Sequence, residues 1–341
     1  MMSIYHHFKQ LTALSCAAAA LSFSTFASAD TWRYAHEEYE GDVQDVYAHK
    51  FKQYIEENSE HTLQVYRFGE LGESDDIMEQ TQAGILQFVN QSPGFTGALI
   101  PEAQIFFIPY LMPTDMETVV EFFRQSKAVN DSFPKLYEAQ GLELLKMYPE
   151  GEMVMTVDEP ITSPEDLKGK KIRVMTNPLL SSTYEAFGAT PTPLPWGEVY
   201  GALQTNMIQG QENPIFWIES GGLYEVSPNL VFTNHGWFTT ASMANKAFFD
   251  KLSADEQQMI RDASEYAFNE TVKHIRGLAE KSLAKIQNTS DNVTVTRLTD
   301  AQIAKFKERA PQVEATFYEM TGDSGKQLLD QFKQDLKVVT K

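Results

Sequence analysis

The side chains best supplied to do chemistry in this 341-residue chain are its acids. It carries 47 Asp and Glu against 28 Lys and Arg, a formal net charge of −19. Adjacent pairs such as Glu37-Glu38 could do acid–base work, but acids are so numerous that adjacency alone says little. The histidines beyond residue 30, His36, His49, His61, His235 and His274, form no H-E-x-x-H or other metal-binding spacing. The only cysteine, Cys16, lies near the N-terminus, so the rest of the chain has no thiolate nucleophile, zinc-cysteine site or disulfide. No P-loop, G-x-G-x-x-G or G-x-S-x-G occurs. These patterns favour binding over catalysis and imply no cofactor and no metal. The excess acid repels nucleic acid and anionic membrane surfaces. It is dispersed in short clusters, as at Asp75-Asp76, which suits a soluble surface adapted to high salt.

Residues 1–29 read as a secretory signal. Lys9 is the only charged side chain, Leu11 to Phe26 is apolar and small, and Ala27-Ser28-Ala29 matches an A-x-A cleavage site. The run is too short and too rich in Ser and Thr to anchor in a bilayer. Ala13-Leu14-Ser15 before Cys16 is a poor lipid-attachment sequence. Cleavage after Ala29 and export are expected.

The remaining chain alternates strand and helix signals. Trp32 to His36 reads as a buried strand. Asp42 caps a helix whose Val43, Val46, Tyr47, Phe51, Tyr54 and Ile55 have helical spacing. Leu63–Phe68 and Ile85–Val89 are further strands, with a short helix between them from Ser74 to Gly84. This β-α-β-α-β order predicts a mostly parallel sheet covered by helices on both faces. Thr114 to Glu117 opens another helix. Ser163-Pro164-Glu165-Asp166 places a helix cap, a proline at N1 and acids in the first turn, and leads through Gly169 into the strand Ile172–Met175. A second α/β unit follows, with helices near Pro178–Phe187 and Gly197–Thr205. Ser253-Ala254-Asp255-Glu256 begins a helix expected to continue to about Gln287, roughly 50 Å at about 1.5 Å per residue. Such a helix would brace two lobes. The length suits two lobes better than one core, and no Gly/Ser linker separates them.

At Gly69-Glu70-Leu71-Gly72, Lys168-Gly169-Lys170-Lys171-Ile172-Arg173 and Gly210-Gln211-Glu212-Asn213-Pro214, the chain resembles the solute-binding subunits of tripartite ATP-independent periplasmic (TRAP) transporters. The resemblance covers essentially all of the chain after the signal. It implies an α/β periplasmic-binding-protein fold with two lobes, a hinge, a ligand cleft between the lobes and a long bridging helix. It also implies a periplasmic location and two membrane subunits, large and small, that receive the solute. The expected organisation is lobe I from 30 to 150, with about 239–278 returning to it, and lobe II from 151 to 238, with about 279–341. Tyr34-Ala35-His36-Glu37-Glu38-Tyr39, Gln91-Ser92-Pro93-Gly94-Phe95, Pro193-Leu194-Pro195-Trp196 and Pro214-Ile215-Phe216-Trp217 resemble the ectoine- and hydroxyectoine-binding branch found in salt-loving bacteria.

Ectoine is a zwitterion with a carboxylate and a delocalised cationic ring. The resemblance places Arg173 as the guanidinium that grips the carboxylate bidentately, as a lysine cannot. It gives Asn213 the same carboxylate and Glu38 the ring nitrogens. Glu38 follows the first strand, where parallel-sheet proteins gather ligand contacts, and Glu37 beside it competes for that role. Phe95, Trp196, Trp217 and Phe238 would wall the ring, since aromatic faces attract delocalised cations. No second arginine stands near Gly151-Glu152-Met153-Val154-Met155, where many relatives that bind dicarboxylates have one. That favours a zwitterion over a dianion. The rival readings are a transporter subunit for another small monocarboxylate and a ligand sensor for a membrane receptor.

Overall fold

A computed structural model describes residues 30–340. The expected secretory signal, Cys16 and the cleavage point lie outside the described residues. Nine strands form one twisted sheet: β1 (Thr31–Ala35), β2 (Thr62–Tyr66), β3 (Phe88–Gln91), β4 (Leu142–Val157), β5 (Lys171–Val174), β6 (Thr190–Pro193), β7 (Gly210–Pro214), β8 (Asn229–Asn245) and β9 (Thr294–Arg297). The order is β2-β1-β3-β8-β4-β7-β5-β6, with β9 also on β8.

Two of these strands explain the two-lobed shape. β4 and β8 are 16 and 17 residues long and run antiparallel to each other. The C-terminal half of β8 pairs with β3 and so joins the β2-β1-β3 group. Its N-terminal half pairs with β9, while the C-terminal half of β4 pairs with β7 and so joins β5 and β6. Each long strand therefore belongs to both lobes. Their register shifts between Pro149 and Gly151 and again between Glu152 and Val154, midway along the pair. A proline cannot donate to a ladder and bulges bend a strand, so the pairing is interrupted midway, which suits the hinge expected between the lobes.

The sheet is mixed, where a mostly parallel one was expected: β3–β8, β4–β8 and β4–β7 are antiparallel. The helices follow from apolar spacing. Val43–Asn58 buries Val43, Tyr47, Phe51 and Ile55 on one stripe. It packs against Ala254–Ile275, where the Tyr47 hydroxyl meets Ser264 Oγ at 2.6 Å. The Ser253 capping box forms as expected. The helix after it does not run unbroken to Gln287. Arg276 is extended and Gly277 is left-handed at φ 72°, so the chain stops at Ile275 and restarts as Leu278–Thr289. The capping residue of the helix Ser74–Gln82 is Glu73, paired reciprocally with Asp76.

The C-terminal helix Ala310–Val339 also links elements that lie far apart in the chain. It packs against Pro178–Ala186 on one side and against Met116–Gln125 and Pro101–Phe107 on the other. Asp335 accepts from the Ser126 hydroxyl and the Ala128 N–H, both at 2.8 Å. Gly322 has φ 63° and ψ −143° and interrupts its helical backbone. No helix among the described residues is long and apolar enough to cross a membrane.

Candidate functional site

The site is built on the loops that leave the strands between the lobes. After β1 the chain turns through His36-Glu37-Glu38-Tyr39 before the helix Val43–Asn58. Gln44, in that helix's first turn, holds this turn in place. Its backbone N–H donates to Glu38 Oε2 at 2.6 Å. Its side-chain amide donates to Glu150 Oε1 at 3.1 Å and to Thr240 Oγ1 at 3.0 Å. One side chain thus ties the β1 turn to β4 and β8.

The two adjacent acids divide their work. Glu37 Oε2 accepts from the Ser92 N–H at 2.9 Å. Ser92 caps the short helix Pro93–Thr96, which carries Phe95, so Glu37 fixes the loop beneath that ring. Glu38 is held instead by Gln44, and each of the two acids keeps one buried oxygen, Oε1, with no hydrogen-bond partner in the protein.

Facing this turn, Arg173 sits on β5, next to its C-terminal end. Its Nε donates to the Leu194 carbonyl at 3.0 Å, which pins the guanidinium plane. The guanidinium carbon lies 5.8 Å from the Trp196 ring centroid. The Nη2 group is buried and has no partner in the protein. Trp196 and Trp217 rings lie 4.8 Å apart, and Phe238 meets Trp217 edge-on at 5.1 Å and 85°. Trp217 Nε1 also lacks a partner.

The structure therefore brings Arg173, Trp196, Trp217 and Phe238 into one contiguous wall. Glu38 and Phe95 lie on the loops that follow β1 and β3; the first reaches the wall through Tyr39, and the second meets Met175, just past β5, through Gly94. The Trp196 indole N–H donates to the Tyr39 hydroxyl at 3.1 Å across the gap. Gly94 packs so close to Met175 that a Cβ there would fall 2.2 Å from its sulfur. Asn213 lies on β7 opposite Val154 and donates its amide to Gln211 Oε1 at 2.5 Å. All seven expected residues are buried, the most exposed being Phe95 at 9%.

Electrostatics divides the site into two poles. Burial pushes the Glu37 carboxyl up to about 8 and Asp42 up to about 7. It raises Glu38 well above the usual carboxylate range, with the neighbouring Glu150 charge adding to it. On the other pole, burial draws Arg173 down to about 10, and the charges of Glu212, Glu73 and Glu37 partly offset this. Arg173 stays cationic at neutral pH. A molecule with a carboxylate at one end and a delocalised cation at the other matches both poles.

Sequence reasoning gave no site role to Gln44 or Glu150, read Asp42 only as a helix cap and Tyr39 only as part of a resembling segment. It also gave no role to Glu212. That carboxylate accepts from Tyr184 Oη at 2.7 Å and meets His235 Nε2 at 2.5 Å, behind the strand that carries Asn213.

The geometry has relatives. Residues 34–321 match the family model of the bacterial extracellular solute-binding proteins, family 7. The chain is 73% identical to the ectoine-binding periplasmic protein TeaA of Halomonas elongata, over 97% of each chain. It is 58% identical to the ectoine/5-hydroxyectoine-binding periplasmic protein UehA of Ruegeria pomeroyi, over 95% of this chain and 96% of that one. It superposes on a solved structure of the ectoine-binding protein from the TeaABC TRAP transporter of Halomonas elongata with a TM-score of 0.90 and 75% identity, over 91% of this chain and all of that one. Against the TeaA structure described as apo the TM-score is 0.80 over the same coverage, at 74% identity. This chain belongs to the bacterial extracellular solute-binding proteins of family 7.

Proposed function

We propose that this member of family 7 is the exported, periplasmic solute-binding subunit of a TRAP transporter, that it captures ectoine or 5-hydroxyectoine, and that it hands the solute to two membrane subunits without chemical change. One observation carries the choice of solute. A single buried arginine with a free N–H group faces a cluster of buried acids across an aromatic wall. A dicarboxylate would leave the acid pole unmatched and repelled. A simple monocarboxylate would leave it uncompensated, and an uncompensated buried charge is strongly destabilising.

Each side chain then has a task. Arg173 and Asn213 hold the carboxylate. Glu38 takes the ring N–H groups, and the faces of Trp196, Trp217, Phe95 and Phe238 surround the ring. Closure joins Tyr39 to Trp196 and Asp42 to Ser220, whose hydroxyl donates at 2.8 Å. The binding step thus draws the lobes together about the β4–β8 hinge.

Mass spectrometry of the solute that copurifies with the protein, followed by calorimetric titration, tests the reading. Ectoine or hydroxyectoine should be found and should bind more tightly than succinate or a plain monocarboxylate. Tight binding of a dicarboxylate in their place would overturn it.

The aromatic wall gives a second expectation. Trp196→Ala removes a cation–π face and the Tyr39 contact together, so ectoine affinity should fall by about 1–2 kcal/mol, near tenfold. The thermal midpoint should change little, because the ring lines the space between the lobes. An unchanged dissociation constant would take Trp196 out of the site.

A further inference from the structure

Capture of a zwitterion calls for one acid at the ring, yet the fold buries two carboxyl groups, Glu38 and Glu150, on the same Gln44. Glu150 lies on β4 at the hinge and is 2% exposed. Its Oε1 accepts from the Gln44 amide and from the Thr240 hydroxyl. Its Oε2 has no donor, and neither has Oε1 of Glu38. Gln44 nonetheless holds both acids, its N–H on Glu38 Oε2 at 2.6 Å and its side-chain amide on Glu150 Oε1 at 3.1 Å, so the two carboxyl groups share one buried cluster. Two carboxylates cannot bond, whereas a carboxylic acid and a carboxylate can.

The surroundings decide which acid holds the proton. Glu150 has two donors on one oxygen, which favours its charged form. Glu38 has only the Gln44 N–H. The other charged or titratable groups facing the pair give it no cation. Glu37 acts on Glu150 and Asp42 on Glu38 from the same turn, and the Tyr148 hydroxyl approaches from β4. Glu219 stands behind Asp42 and is itself paired with Lys285. His36 and Arg67 are engaged by Asp45. Arg173 acts on Glu37 from the far wall.

We propose that Glu150 is a positioning residue for solute capture, holding Glu38 as a carboxylic acid in the ligand-free protein so that entry of the cationic ring expels one proton. The Glu38 O–H bond breaks, the proton passes to water, and the ring N–H donates to the oxygen that carried it. The ring's positive charge replaces the proton in balancing the pair. Neutral solutes that cannot supply this charge are rejected, because they leave either a misplaced proton or two facing carboxylates. The inference rests on the proposed zwitterionic solute.

Calorimetry of the signal-free protein with ectoine, in buffers of different ionisation enthalpy, counts the protons released. About one per ectoine is expected near pH 6–7, with affinity rising up to about tenfold per pH unit and levelling off at higher pH. Glu150→Gln should bring the release close to zero and flatten the pH profile, whereas Glu150→Asp should restore both. Tight ectoine binding by the parent protein with no proton released would overturn the role of Glu150 and leave the proposed function standing. Release from Glu150→Gln equal to the parent's would overturn it as well. Absence of any ectoine binding would overturn the proposed function instead. The parent titration needs no variant, so a Glu150→Gln protein that fails to fold does not remove the test.

Discussion

Arg173→Lys should weaken ectoine binding by roughly 25-fold or more, the equivalent of about 2 kcal/mol or above for a damaged buried charge pair. The geometry explains why keeping the positive charge is not enough. The guanidinium is held by one of its own N–H groups, Nε, which donates to the Leu194 carbonyl at 3.0 Å. The remaining fork is left to face a carboxylate in two parallel bonds. A lysine ammonium has no second anchor. It would either satisfy Leu194 and miss the solute or reach the solute and abandon a buried carbonyl. Protonation adds to the effect. Burial already draws Arg173 down to about 10 from a much higher starting point. A lysine starts near 10.4, so the same environment brings it far closer to losing its charge at neutral pH. Calorimetric titration with ectoine checks this, beside a thermal melt to verify folding. An affinity within about threefold of the parent would mean that Arg173 does not grip the solute.

The candidate site was named from the sequence chiefly through the resemblance, and residue types made the roles it implied chemically sensible. Arginine at a strand end, an acid after β1 and a set of tryptophans each carry a physical meaning in one dimension. The long strands were not legible. β4 and β8 exceed the usual length of about five or six residues, and Pro149, Gly151, Asn234 and Gly236 interrupt their apolar pattern as a loop would. Their polar residues are buried by pairing with partners from both lobes, such as Thr240 with Glu150, and that information is tertiary. The broken helix at Gly277 failed for a different reason. An isolated glycine inside a helical pattern is usually tolerated, and only its left-handed backbone reveals that it separates two helices.

The pairing of Glu37 with Glu38 shows the same limit at the scale of one site. Both acids follow the same strand and have the same type, so nothing in the sequence ranks them. The structure distinguishes them by their neighbours, since each keeps one open buried oxygen. Glu37 is held by Ser92, in the loop that carries Phe95. Glu38 is held by Gln44, whose side chain also bonds a second acid. That second acid, Glu150, stands more than a hundred residues away and is brought near only by the hinge strand. The acid pole is therefore a product of the fold, whereas the arginine pole is proposed at a position that the resemblance alone had already marked.

Glu38→Gln should damage binding of ectoine far more than binding of a monocarboxylate with an uncharged ring, with a loss for ectoine of about 3–5 kcal/mol, the range for breaking a buried ion pair by removing one partner. The substitution is well suited to the question because the protein can accommodate it. The amide oxygen of the new glutamine can still accept from the Gln44 N–H, and its NH2 group can donate to the open Glu150 oxygen. Both local partners stay satisfied, so the melting temperature should hold. The ring is not so served. Its N–H groups would meet an amide already committed to donating, and its positive charge would face a neutral group. Proton release on binding should vanish in this variant too, since the acid that held the proton is gone. Titration of ectoine and of the uncharged-ring carboxylate against the same variant separates the possibilities. An equal loss for both solutes would mean that Glu38 does not read the ring's charge. A collapsed melt would mean that its carboxylate supports the lobe core and not the solute.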